Sequence, residues 1–368
     1  MNPFKPTAGK TPPALIGRDY VIDEFLEGVE NGPGSPSRLM RITGMRGMGK
    51  TVMLNEVARQ AEKLGWAVVE ETASPGFCER TLAATTALSS PSGRVSRIVA
   101  SPSALGVSLG TVEIDRAALS LRDAFAKTIE KNGKGLLITL DEAQDAPLDE
   151  MRALSVAVQH EIRSDRSIAF VFAGLPSMIE SVVNGRTLTF LRRATPIELT
   201  PLNRAEVVIS LEATFEKSGV KASRNLCETL AEAARGYPFM VQLVGYHAWQ
   251  QAHNNGSAML DEQTIEQGIA IARERFDATV IEPALQRLPA SSIDYLLAMA
   301  LDGGAESQTG QIATRLGKTA QQLSTCRSRL IREDVIQSSG WGRVSFAIPY
   351  MAGYLNEHRE ELASRSSD

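Results

Sequence analysis

The chain has 368 residues, 43% hydrophobic and 22% charged, with a formal net charge of −4, longer than the roughly 250 to 300 residues at which a single core stops growing, so two or three domains are expected. No apolar run approaches the ~18 residues of a membrane span, and the opening stretch MNPFKPTAGKTPP is Pro-rich without the apolar centre of a leader, which predicts a flexible tail over 1–13 and neither secretion nor membrane insertion. Cys78, Cys227 and Cys326 are scattered and show no zinc spacing, so they read as reduced thiols of a cytoplasmic protein.

From about residue 14 to residue 200, strand and helix patterns alternate. That alternation predicts an α/β domain with a doubly wound parallel sheet and helices on both faces. Its first legible unit is LMRIT, then GMRGMGKT (Gly44 to Thr51), then TVMLNEVARQAEKL, in which Val52, Leu54, Val57, Ala58, Ala61 and Leu64 stand close to helical spacing. The spacing G-x-x-x-x-G-K-T between a strand and a helix is that of a P-loop: glycines let the backbone curl so that successive N–H groups face phosphate oxygens. The helix N-terminus adds its dipole. Gly44, Met45, Arg46, Gly47, Met48, Gly49, Lys50, Thr51 and Val52 are the expected nucleotide contacts, with Lys50 on the β/γ-phosphates and Thr51 on Mg²⁺.

The stretch SSPSGRVSRIVASPSALGVSLGTVEI interrupts the alternation with Ser, Gly and Pro, as an inserted hairpin or a mobile loop would. GLLITLDEAQ follows, and its run Leu136, Leu137, Ile138 and Leu140 reads as a strand buried on both faces. Asp141 at the strand's carboxyl end is placed to hold Mg²⁺, and Glu142 to polarise a water for attack on the γ-phosphate. No N-K-x-D guanine-reading motif is present, so the nucleotide expected is ATP or ADP.

From LNRAEVVISLEATFEKSG to about Arg287 the pattern is almost wholly helical, which predicts a helical lid over 201–286. PASSIDYLLAMALDG, TGQIATRLGKT, TAQQLSTCRSRLIRED and VIQSSGWGRVSFAIP then read as three helices and a two-stranded wing, an order that resembles a winged helix-turn-helix over 287–355; a tail is expected over 356–368. In the third helix Leu323, Cys326 and Leu330 mark the inner stripe. Gln321, Gln322, Thr325, Ser328, Arg329 and Arg332 are left outside and, with Arg343, form the expected contacts to double-stranded DNA. Residues 309–350 hold six cations against Glu333 and Asp334, a basic patch on an otherwise acidic chain. The acidic balance elsewhere argues against indiscriminate coating of nucleic acid.

Together with LIGRDYVIDEFLEGV before them and FVFAGLPSMIE, FLRRATPIELTPLNRAE and ARGYPFMVQLVGYHA after them, these motifs resemble the AAA+/STAND group of P-loop ATPases. Within that group the chain is similar to replication-initiator-like archaeal and bacterial ATPases and to DEAQ-type ATPases of transposition and secretion systems, over roughly residues 14–350. The resemblance implies that Ile16 packs on the base and Arg18 faces the nucleotide. It places a γ-phosphate sensor at the tip of AFVFAGLPS, which here lacks the usual Asn or Thr. It makes Arg193, with Arg192 second, an arginine finger reaching a neighbouring subunit in a homo-oligomer, and it sets Pro238 of GYP beside the nucleotide. The catalytic set expected is Lys50, Asp141, Glu142 and Arg193. Two functions follow: a DNA-associated ATPase whose nucleotide state controls assembly and the winged helix, or a nucleotide-dependent regulatory switch whose target is a protein.

Overall fold

The computed structural model describes residues 1–7, 9–90, 96–100, 114–176 and 189–365. LMRIT is strand β1 (Leu39–Thr43), preceded by helix α1 (Asp19–Glu30) and followed by α2 (Lys50–Lys63). Next come β2 (Ala67–Thr72), α3 (Phe77–Ser89), β3 (Arg97–Ala100), α4 (Ile114–Asn132), β4 (Leu136–Asp141), α5 (Leu148–Arg163), β5 (Ile168–Gly174) and β6 (Thr195–Glu198). The six strands pair in the order β3-β2-β4-β5-β1-β6, every pair parallel. This is the predicted doubly wound sheet, and its strands present their carboxyl ends along one edge, where ligands of such sheets bind.

Successive side chains of a strand point to opposite faces, and the core divides accordingly. Met40, Ile42, Leu137, Ala169 and Val171 pack with Phe25 of α1 and Val57 of α2. Leu39, Leu136, Ile138, Leu140, Phe170 and Phe172 pack with Phe77, Phe125 and Leu154 of α3, α4 and α5. Of the stripe expected on α2, Leu54, Val57, Ala58 and Ala61 are buried, but Met53 joins them and Leu64 lies past the helix end, 43% exposed. Within the Ser/Gly/Pro-rich stretch, Arg97–Ala100 is an edge strand against β2, its Arg97 held by Glu70 and Glu62; residues 91–95 and 101–113, where the hairpin or loop was expected, lie outside the described residues.

The segment expected to form a lid is helical: α6 (Arg204–Lys217), α7 (Arg224–Ala234), α8 (Pro238–Asn254) and α9 (Glu262–Phe276), which continues through a π-turn into α10 (Glu282–Gln286). Asn203, Ser223 and Asp261 each accept a backbone N–H at the start of α6, α7 and α9, caps worth about 1 kcal/mol apiece. The C-terminal part runs α11 (Ala290–Ala300), β7 (Ser307–Gln308), α12 (Thr309–Arg315), α13 (Ser324–Arg332), β8 (Ile336–Gly340) and β9 (Arg343–Phe346). Its sheet is antiparallel in the order β7-β9-β8, so β7 adds a third strand to the two-stranded wing expected.

Both chain ends differ from the tails expected. Phe4 is 3% exposed, its ring 5.0 Å from that of Phe215 and seated where a Cβ on Gly245 would stand 2.3 Å from it. A glycine inside α8 is therefore the socket for an N-terminal side chain. At the other end α14 (Met351–Glu357) and α15 (Arg359–Arg365) continue the fold: Leu362 is buried, and Arg359 donates to the Leu297 carbonyl at 2.9 Å. One apolar core extends from the sheet through the lid to Leu323, Leu330 and Leu362.

Candidate functional site

The carboxyl ends of β1, β4 and β5 bring three loops together. In the first, Gly47 and Gly49 adopt φ of +77° and +91°, a left-handed conformation that glycine takes without a Cβ penalty. Gly44 is there for closeness, since a Cβ on it would meet Leu199 Cβ at 3.1 Å. Lys50 is buried and its Nζ donates to the carbonyls of Gly44 at 2.7 Å and Met45 at 3.2 Å, closing the loop with the group that would otherwise meet phosphate. Burial lowers its pKa, while Glu142, Asp141 and Asp334 pull it back up. Met48 anchors the loop in the core, Met45 and Val52 are half-buried, and Arg46 is exposed.

Thr51 Oγ1 donates to Asp141 Oδ2 at 2.5 Å, and the Glu142 amide donates to Asp141 Oδ1 at 2.9 Å. Burial raises the Asp141 carboxyl above its ordinary range, against these two hydrogen bonds. Asp141 and Glu142 do not cap the next helix: α5 begins at Leu148 behind Pro147. Glu142 instead sits at φ 49°, and its carboxylate accepts from Gln144 Nε2 at 2.5 Å. Gln144 Oε1 in turn accepts from the Leu175 amide at 3.1 Å. That glutamine therefore links the carboxylate to the tip of β5, where the sequence shows no polar sensor. Its signal was the fourth letter of DEAQ.

The residues assigned by resemblance divide. Ile16 lines a cavity of about 480 Å³ with Leu15, Gly17, Glu206, Ile209 and Ser210, and no P-loop residue borders it. Arg18 is 6% exposed and donates to the Thr200 carbonyl at 2.5 Å, so its guanidinium ties α1 to the segment after β6. Arg192 and Arg193 lie exposed on the turn Leu191–Arg193 ahead of β6. Ser177, at the end of the expected sensor segment, is outside the described residues. Pro238 opens α8, and the residue before it, Tyr237, lies against the P-loop: a Cβ on Gly47 would stand 2.5 Å from the Tyr237 ring and 2.7 Å from its hydroxyl.

The C-terminal part reaches the same place. Asp334, just beyond α13, has φ 51°, and its Oδ2 is buried without a hydrogen-bond partner among the described residues. Burial holds its carboxyl up at about 6, against the attraction of Lys50 and Arg46. Neighbouring Glu333 acts on Asp145, three positions after Glu142.

On the far side of α13, Thr325 and Ser328 are exposed, Arg329 is half-buried and Arg332 exposed. Gln321 and Gln322 are not on the helix as expected: they fall in the turn before Ser324, where Gln322 Oε1 accepts from the Thr319 amide at 2.8 Å. The basic patch is also smaller than its own stretch of sequence implies. Arg315 pairs with Asp302 and Arg343 with Glu306, so residues 302–350 hold six cations against four carboxylates. Trp341 stands fully exposed between Gly340 and Gly342 at the tip of the β8–β9 hairpin.

Residues 14–171 match the family model described as AAA ATPase domain, and residues 278–355 match one described as a domain of unknown function. Among solved structures, the chain is similar to the ORC2 protein of Aeropyrum pernix in its ADPNP–ADP complexes, at 17% identity and a TM-score of 0.65 over 98% of both chains. A Walker-type ATPase of Pyrococcus abyssi gives 16% identity and a TM-score of 0.65, over 93% of this chain and 96% of that one. The ORC1 protein of Aeropyrum pernix in complex with DNA gives 17% and 0.50, over 96% and 95%. No curated protein matches the chain. The fold is that of an AAA+ P-loop ATPase, shared over most of the chain with these ORC and Walker-type proteins.

Proposed function

We propose that the chain binds ATP with Mg²⁺, hydrolyses it, and uses its nucleotide state to set how the C-terminal winged helix meets duplex DNA. The observation that carries this reading is Asp334: a carboxylate at the end of α13 lies in the field of Lys50 and Arg46, the cations that a polyphosphate needs. Coupling of this electrostatic kind between two sites is typically worth ~1–3 kcal/mol. Phosphate arriving at Lys50 therefore competes with Asp334 for the same cations and favours a shift of α13.

The chemistry is assigned to named groups. Thr51 and Asp141 offer a hydroxyl and a carboxylate, hard oxygen donors that suit Mg²⁺. Together with phosphate oxygens they would hold the metal, which when bound neutralises charge on the transferring phosphoryl group. Glu142 orients and deprotonates the attacking water, with Gln144 fixing its carboxylate. Arg193 reaches outward to a neighbouring copy's nucleotide. The lid spans 201–286 and the winged helix 287–355. Similarity in fold to an ORC1 protein seen in complex with DNA and the exposed Trp341, two positions before Arg343, support a duplex as target.

A second reading, a switch acting on a protein, is favoured by the pairing of Arg315 and Arg343 with carboxylates, which leaves less charge for phosphates. Titration of random duplex at several salt concentrations separates the two. Binding that weakens steeply with salt supports DNA; no binding at low salt removes DNA and leaves the ATPase assignment standing.

A further inference from the structure

The lid carries an unpaid hydrogen bond at the edge of the P-loop. Tyr237 is 1% exposed, its hydroxyl has no hydrogen-bond partner among the described residues, and its ring lies on Gly47 closely enough that only a residue without a Cβ fits there. The phenol is not free to turn away. Its ring is held edge-on by Phe276 with centroids 5.3 Å apart. Gly236 before it, at φ +70°, packs where a Cβ would stand 2.8 Å from the Leu202 carbonyl, and the Tyr237 amide donates to Ala234 at 2.9 Å.

Burying a hydroxyl without a partner is costly, so the question is which acceptor belongs to it. Two cations of the loop bear on this end of it: Arg46, which acts on the phenol, and Lys50, bonded to the Gly44 carbonyl. Guanidinium, ammonium and the inward-facing amides of a P-loop are donors only. Burial also pushes the phenol pKa up, keeping the proton on the oxygen. The loop's cations and inward amides are all donors, and its Gly44 and Met45 carbonyls already accept from Lys50; a phosphate, which only accepts, is the ligand that such a cradle binds.

We infer that Tyr237 is a further nucleotide-binding residue, whose hydroxyl donates to a phosphate oxygen of the nucleotide held by the P-loop and thereby makes the lid a direct reader of phosphate. The inference rests on the ATP-binding reading above and adds a contact from α8, whose N-terminus Tyr237 precedes. Lys50, bonded to the Gly44 and Met45 carbonyls, closes the cradle.

Tyr237→Phe removes the hydroxyl and keeps the ring on Gly47. Affinities for ATP and ADP are measured by calorimetry, and Tm with and without nucleotide, for the parent, Tyr237→Phe and Lys50→Ala. The expected result is a Tm without nucleotide equal to or above the parent's, because an unpaired polar atom is gone, and affinity for both nucleotides about tenfold or more weaker, the usual loss for a hydrogen bond to a charged group. Unchanged affinity in Tyr237→Phe beside loss in Lys50→Ala overturns the role of Tyr237 and leaves ATP binding intact. Failure of the parent itself to bind nucleotide overturns both, through the P-loop reading. Tyr237→Leu guards against confusion with packing: it lowers Tm without nucleotide, whereas a weakening confined to Leu and absent in Phe marks the ring as packing only and contradicts the inference.

Discussion

Thr51 Oγ1 donates to Asp141 Oδ2 at 2.5 Å, although β1, which leads to Thr51, and β4, which ends in Asp141, are separated in the sheet by β5. The contact spans a whole strand because a helix N-terminus and a strand tip share the carboxyl edge. Asp141→Asn keeps an oxygen for the hydroxyl and deletes the charge. Expected are ATP affinity in a chelator equal to or better than the parent's, loss of the gain that Mg²⁺ brings, and hydrolysis slowed by about 10² or more. Calorimetry with and without Mg²⁺ checks it; a normal Mg²⁺ gain removes Asp141 from the metal.

Glu142→Gln should retain ATP and slow single-turnover hydrolysis by about 10² to 10⁴, the usual contribution of a positioned general base. Because Gln144 bridges Glu142 to Leu175, Gln144→Ala should also slow turnover, by less, with nucleotide affinity unchanged. Equal turnover in the parent and both variants would show that neither side chain touches the chemistry.

Much of this site was legible because its physics is local. Gly47, Gly49, Lys50 and Thr51 must follow one another for amides to surround a phosphate, and the apolar run ending in Asp141 declares a buried strand and its tip. What depended on distant segments meeting was not legible. The bond from Arg18 to the Thr200 carbonyl needs the segment after β6 to lie beside α1. Arg315 and Arg343 looked bare because their partners, Asp302 and Glu306, lie upstream of the stretch counted. Tail composition at residues 1–13 hid one phenylalanine, whose socket is a glycine in α8.

Asp334 makes stability depend on pH. Its carboxyl titrates near 6 in the folded chain against an ordinary value of about 3.9, with Lys50, Arg46 and Glu333 the charges facing it. The folded state therefore holds more proton than the unfolded one between these values. Stability falls as pH rises through that window and is level above it, by at most about 3 kcal/mol. Asp334→Asn imitates the protonated form, so its Tm should match the parent's near pH 4 and exceed it by several degrees at pH 8. A Tm difference constant across that range would contradict the assignment.

Arg329→Ala and Trp341→Ala should weaken duplex binding in different ways. A lost phosphate contact lowers the slope of log K against log salt by about 0.9, the change expected for Arg329→Ala. Trp341, fully exposed at the hairpin tip, carries no charge, so its removal should reduce affinity at every salt and leave the slope alone. Anisotropy titrations at four salt concentrations check both; slopes and affinities equal to the parent's would take α13 and the hairpin out of DNA binding.

The distance between the P-loop domain and the wing tests the coupling most directly. Spin labels at Lys63→Cys, at the exposed end of α2, and Gln337→Cys, on β8, in a Cys326→Ser background with Cys78 and Cys227 left buried, report it by pulsed electron resonance. Phosphate competing with Asp334 for Lys50 and Arg46 predicts one distance distribution without nucleotide and a shifted one with ATP in the Glu142→Gln chain, the shift being lost in Lys50→Ala. The same distribution in both conditions, with ATP binding confirmed in the same sample, would contradict control of the C-terminal part by the nucleotide.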